Sequence, residues 1–158
     1  MADTKIRTRN ATNLLREDHR TVKNLFAEID KLDESDTAEL ARIFEEVKKE
    51  ITVHSQIEEE LFYPAIEMAD DDKAEELVRD AREEHRLVMM LIEEISGLTA
   101  DDPEFCTKMK VLMDTILRHI EEEESEIFPI FGGLEKAEQE RIAEQLFARR
   151  NELSEEKE

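Results

Sequence analysis

The apolar residues of this 158-residue chain recur at helical spacing in five segments. Over 11–32, the stripe Leu15, Val22, Phe26, Ile29 and Leu32 predicts a helix, closed by a charged turn at 33–36. A second helix is predicted over 37–66, with Ile43, Val47, Ile51 and Leu61 inward. Pro64 has no N–H for the helical ladder and must kink or tighten the last turn. The acidic run 70–72 reads as a loop and an N-cap. The third helix, over 73–96, turns Val78, Ala81, Val88, Ile92 and Ile95 inward and stops at Gly97. Pro103 suits the first turn of a fourth helix that reaches residue 128, with Phe105, Met109, Leu112 and Ile116 on its stripe. Pro129 and Gly132-Gly133 end it. A fifth, shorter helix covers 135–150, with Leu134, Ile142, Leu146 and Phe147 available for docking.

Short connections between long helices imply an all-α fold, an up-down-up-down four-helix bundle with a short additional C-terminal helix. The expected organisation is a single domain over 1–150, with its bundle at 11–131 and a frayed tail at 151–158.

The four histidines interrupt this pattern in a regular way. His19, His54, His85 and His119 each stand on the apolar stripe of a different long helix. Leu15, His19, Val22 and Phe26 follow the spacing of one face, as do Val78, Ala81, His85, Val88 and Ile92. A single inward histidine is ordinarily a hydrogen-bonded core residue. Four random placements would all fall inward only roughly 3% of the time, since an inward stripe takes about three positions in seven.

Two glutamates share the stripes. Glu58 follows His54 by four residues and Glu123 follows His119 by four, so each pair projects from one helix face. Acids abound in this chain, and either pair alone would mean little. Together they call for a counter-cation, because an unpaired buried carboxylate costs several kcal/mol or must take up a proton.

The pattern occurs twice. Phe62-Tyr63-Pro64 trails the first His-xxx-Glu and Ile127-Phe128-Pro129 the second, while Asp18-His19-Arg20 matches Glu84-His85-Arg86 upstream. Two helical hairpins would thus each supply His plus His-xxx-Glu to a pseudo-twofold site in the middle of the bundle.

H…HxxxE…H…HxxxE on four helices, with the trailing aromatic-Pro, resembles the hemerythrin-like HHE cation-binding family over 11–131. The resemblance implies that His19, His54, Glu58, His85, His119 and Glu123 hold two non-haem iron ions, with both carboxylates bridging and an oxo or hydroxo bridge between the metals. Imidazole also suits zinc and copper, so the donors alone leave the metal open. A ferritin-type site would need Glu-xx-His on two helices, which is absent at the inward positions.

Oxygen-carrying members have a fifth histidine four residues from the third-helix one. Here those places hold Ala81 and Met89. The resemblance then implies a more open, more symmetric centre that handles H2O2, O2 or NO, with catalase-like peroxide disproportionation foremost. The alternative is an O2- or iron-binding module (sensor, carrier or store) without turnover, and a plain bundle with zinc or no metal is a third reading. Tyr63, just past the first His-xxx-Glu, is either a hydrogen-bond donor or ligand near the metals or an end-of-bundle packing residue, as Phe128 must be. Glu50, one turn before His54, either holds an imidazole N–H or belongs to a solvated face, and the solvated face is the simpler reading.

The formal net charge of −21 repels nucleic acid and anionic membrane, so neither is an expected partner. Cys106 is the only cysteine, which excludes an intrachain disulfide. It stands about 20 Å along the helix from His119, too far to act there. Residues 1–10 hold no signal-like apolar stretch, and the longest apolar run, 87–92, is too short to span a bilayer. A cytoplasmic setting is expected. Electron donor and oligomeric state are not legible.

Overall fold

The computed structural model describes residues 10–157 and is helical throughout, joined by turns. The expectations for residues 1–9 and 158 lie outside the described residues. Helix α1 spans Ala11–Asp30, α3 Ala74–Ser96 and α5 Lys136–Lys157. Helix α2 runs Thr37–Ile57, widens into a π-helical turn at Glu58–Phe62 and resumes over Tyr63–Glu67. Helix α4 repeats this plan: Pro103–Glu122, a π-helical turn at Glu123–Ile127, then Phe128–Gly132. Helices α1 to α4 form the up-down-up-down bundle, with connections at 31–36, 68–73 and 97–102, and α5 packs along α1 and α2.

Local chemistry fixes the ends. Asn10 caps α1, its Oδ1 accepting from the N–H groups of Thr12 (2.9 Å) and Asn13 (3.3 Å). Asp102 caps α4 through the Glu104 N–H (2.9 Å), with Pro103 at the first helical position where a missing N–H costs nothing. The acidic loop behaves differently from expectation. Asp71 Oδ1 accepts the Lys73 N–H (2.9 Å) and so shapes the turn, while Lys73 precedes α3 without a side-chain cap.

Pro64 and Pro129 sit just past a π turn, and neither tightens nor ends its helix. A proline ring has no N–H and would clash with the carbonyl four residues back. Widening relieves both problems: Tyr63 N–H donates to Glu58 O, and Phe128 N–H to Glu123 O, five residues behind. The extra residue rotates the remainder of each helix. Leu61, expected inward, is half-buried, and Phe62 and Tyr63 are sealed instead.

The interior divides into two apolar clusters. One holds Phe62, Tyr63, Phe128 and Phe131 at the end covered by α5, and the other holds Phe26, Phe44, Phe105 and Met109 at the opposite end. The polar residues buried between them include all four histidines, Glu58 and Glu123. Helix α5 is longer than its composition suggests. It continues through 151–157, the expected frayed tail, because Leu153 buries with Ile142, Ala143 and Leu146 in the first cluster. No helix among the described residues is long and apolar enough to cross a membrane.

Candidate metal centre

The π turns begin at the two inward glutamates, so Glu58 and Glu123 sit where each helix is locally widened. Both carboxylates are fully buried. Glu58 Oε1 lies 3.2 Å from His54 Nε2 and 3.2 Å from His85 Nε2. Glu123 spans the two halves with separate oxygens: Oε1 is 3.1 Å from His19 Nε2, and Oε2 is 3.4 Å from His119 Nε2. Two overlapping groups that could each hold a metal ion result. His19, His54, Glu58 and Glu123 bring one donor atom each within 4.8 Å of one another, and so do Glu58, His85, His119 and Glu123. Both glutamates belong to both sets, so either set draws on the same two carboxylates. The pseudo-twofold is close: the His19 and His54 rings are 4.9 Å apart at 62°, and those of His85 and His119 are 4.8 Å apart at 64°.

All four imidazoles are oriented from behind. His19 Nδ1–H donates to Glu124 (2.7 Å), His54 to Asp18 (2.9 Å), His85 to Glu59 (2.9 Å) and His119 to Glu84 (2.8 Å). Each bond fixes the tautomer that turns an Nε2 lone pair inward, as histidine ligands of metals require. These carboxylates obey the same twofold. Glu59 and Glu124 follow the two inward glutamates, while Asp18 and Glu84 precede His19 and His85. The matched acid-His pairs are visible in the sequence, but this role for them is not. Glu50, the outer partner considered from sequence, does not hold an imidazole. It is half-buried near Asp18 and Arg150, and its carboxyl is raised by burial and by the Asp18 charge.

Buried together, the six residues pair with each other. Among them His54, His85 and His119 are shifted toward the protonated form and Glu123 toward the ionised form. Burial pulls His54 down, but the Glu58 charge and the hydrogen bond to Asp18 hold it well above its ordinary value. His85 is raised likewise, burial being outweighed by hydrogen bonds to Glu58 and Glu59. His119 is pushed up to about 10, burial being overcome by hydrogen bonds to Glu123 and Glu84. Burial would raise Glu123, yet hydrogen bonding with Glu58, His119, His19 and His54 keeps it well below the usual carboxylate range. The pairing is incomplete, since His54 Nε2 and Glu58 Oε2 are buried without a hydrogen-bond partner. A buried donor set of imidazoles and carboxylates with such orphaned atoms fits a bound cation.

The two halves differ in the residue that follows each π turn. Tyr63 Oη donates to Glu123 Oε2 (2.7 Å) and stands 3.1 Å from His85 Nε2 and 3.5 Å from His119 Nε2. Burial and the Glu123 and Glu58 charges push this phenol well above its ordinary pKa, so it stays a donor. In the matching place Phe128 stacks on His19, with centroids 5.8 Å apart, under the Arg16 guanidinium. Against the other side of the imidazoles lies a cavity of about 20 Å³ walled by Val22, Ile51, Val88, Ile116 and Ile120. That space admits about one water-sized molecule.

Comparison with known proteins agrees with the architecture. The family model of the hemerythrin HHE cation binding domain matches residues 10–131. A DNA nickase of Nostoc sp. is 29% identical over 75% of this chain and 32% of its own length. An uncharacterized hemerythrin-like protein of Schizosaccharomyces pombe is 29% identical over 71% of this chain and 54% of its own length. The chain therefore spans only a third to about half of these curated relatives. The crystal structure of a hemerythrin HHE cation binding domain-containing protein from Mycobacterium kansasii superposes with a TM-score of 0.79 at 25% identity, covering 93% of this chain and 88% of that one. With its model matched across the whole bundle and both ligand sets, the chain belongs to the hemerythrin HHE cation-binding family.

Proposed function

We propose that His19, His54, His85 and His119, with Glu58 and Glu123 shared between them, hold two iron ions, and that the centre turns over a small oxidant, H2O2 before O2 or NO. The observation that carries this reading is the sharing of both carboxylates by the two histidine pairs. Bound iron would supply reversible two-electron chemistry. The chain's part is to hold the imidazoles by Nδ1, to keep bulk water out with the aliphatic wall, and to place the Tyr63 hydroxyl as a proton donor beside Glu123.

The small apolar cavity of about 20 Å³ beside the imidazoles favours a substrate of very few atoms over a larger one. Ala81 and Met89 leave the third helix without a further histidine, and the Tyr63 phenol stands 3.1 Å from His85 Nε2. A proton donor within reach of the ligands favours peroxide turnover over storage. The same apolar cavity also suits a reversibly bound gas, which keeps an O2-binding module as the second reading.

Nicking of DNA is not carried over. The shared part is 32% of that relative, and a net charge of −21 opposes a phosphate backbone. A cytoplasmic setting fits a chain with one free, exposed thiol.

The test is to load the protein anaerobically with Fe(II) and follow H2O2 consumption and gas release against an equal amount of free iron. Turnover well above the free ion supports the reading. A reversible oxygen complex without peroxide turnover would move the second reading ahead.

A further inference from the structure

The family match ends at residue 131, yet a residue beyond it reaches the back of one ligand. Arg150 on α5 places Nη2 2.9 Å from Asp18 Oδ1, and the other oxygen of Asp18 accepts the His54 Nδ1–H at 2.9 Å. We propose that Arg150 is a positioning residue for the His19/His54 half of the centre, so that filling of this metal position depends on docking of α5. This rests on the two-metal reading above.

The four carboxylates behind the histidines show why one of them needs a cation. The side chains of Glu124, Glu59 and Glu84 are 30%, 44% and 18% exposed, whereas that of Asp18 is 4% exposed. Water solvates the first three. Asp18 is buried, and a buried carboxylate is tolerated only when paired. Arg150 supplies the opposite charge at 2.9 Å, an ion pair without hydrogen-bond geometry at Asp18 Oδ1, and its side chain remains 30% exposed.

The pseudo-twofold gives an internal comparison. Between α3 and α4, beside His119 and Glu84, the recess is about 150 Å³ and no residue of α5 lines it. The recess beside His54 and Asp18 opens the other way along the bundle, toward Lys49 and Glu50; it is about 50 Å³, with Arg150 and Ser154 among its walls. Helix α5 packs along α1 and α2 and so lines the Asp18 side, while the recess beside Glu84 has no α5 wall. Without the guanidinium, the Asp18 carboxylate turns toward water and releases the His54 imidazole from the orientation that aims Nε2 inward.

The experiment is an anaerobic Fe(II) titration of the full chain by equilibrium dialysis, with melting curves of metal-free and loaded protein, for wild type, Arg150→Ala, Arg150→Lys and Arg149→Ala. Loss of an outer partner of a metal-ligating histidine weakens binding by about 10- to 100-fold. Arg150 acts one step further out, so Arg150→Ala is expected to weaken one of the two Fe(II) ions about tenfold and leave the other unchanged. It should also lower the melting temperature of the loaded protein more than that of the metal-free protein. Arg150→Lys keeps the charge without the fork and restores most of the affinity. Arg149→Ala removes the neighbouring α5 ion pair to Glu60 (2.9 Å) and leaves both ions at wild-type affinity. Wild-type affinity for both ions in Arg150→Ala, or equal loss of stability with and without iron, overturns the proposal. If Arg150→Ala does not fold, the lysine variant decides through the same two readouts, with Arg150→Met as the charge-free comparison. A wild type that binds fewer than two ions fails the two-metal reading itself, and that failure shows before any variant is compared.

Discussion

Tyr63 and Phe128 stand at equivalent places, each the first residue after a π turn, but only Tyr63 brings a hydroxyl to the ligands. Its Oη donates to Glu123 at 2.7 Å, while the Phe128 ring stacks on His19. The candidate centre is therefore symmetric in its four histidines and two glutamates and asymmetric in its hydroxyl. Tyr63→Phe should leave about two metal ions per chain, cost about 1–2 kcal/mol of folding stability from the lost hydrogen bonds, and slow peroxide turnover. Metal analysis beside a rate assay separates these effects. An unchanged rate would show that the phenol only packs.

The sharing of Glu58 and Glu123 predicts unequal consequences for ligand variants. Glu123→Ala removes a donor from both sets and should abolish stable loading of both positions together. His19→Ala touches one set, and about one ion per chain should remain tightly held. Equal loss in the two variants would argue against two overlapping sites.

Protonation of the metal-free centre sets a pH dependence with a definite sign. The raised histidines contribute stability that is fully present below about pH 6.5, their unfolded value, and that is lost as pH rises through the folded value, about 10 for His119. Glu123 is depressed, so its contribution is present above the ordinary carboxylate range and lost as acid titrates it. Metal requires the imidazoles neutral, so the loaded protein gains stability with pH up to about 6.5 and changes little above it. The gap in melting temperature between loaded and metal-free protein should widen from about pH 6.5 towards 10. Calorimetry at several pH values checks this, and metal binding in the same window should release protons.

The π turns depend on proline. Pro64→Ala restores an N–H and removes the ring, which permits a regular α-helix through 58–67. The residues after Glu58 would then rotate back, carrying Tyr63 from the ligands. Weaker metal binding with a helical content little changed is the expected outcome, measured by titration and circular dichroism.

The buried histidines and glutamates of the candidate centre are legible in the sequence because helical periodicity is local. His19, His54, His85, His119, Glu58 and Glu123 each declare themselves by occupying a place where their own helix asks for an apolar side chain. The groups that orient them are not legible in the same way. Asp18 and His54 are 36 residues apart and meet only after two helices pack. The matched acids beside the ligands are the one visible trace of that arrangement. The π turns are hidden because a fixed period of 3.6 places Leu61 inward, and only the widened backbone favours Phe62 and Tyr63. The end of α5 is hidden because residues 151–157 are mostly charged, and a single leucine, Leu153, anchors them.

Sharing of Glu58 and Glu123 by two metal ions is tested most directly by the iron content and absorption spectrum of the protein after anaerobic loading and exposure to air. About two irons per chain, with near-ultraviolet charge-transfer bands that Glu123→Ala abolishes, is the predicted result. One iron per chain, zinc in its place, or bands that survive loss of Glu123 would contradict it.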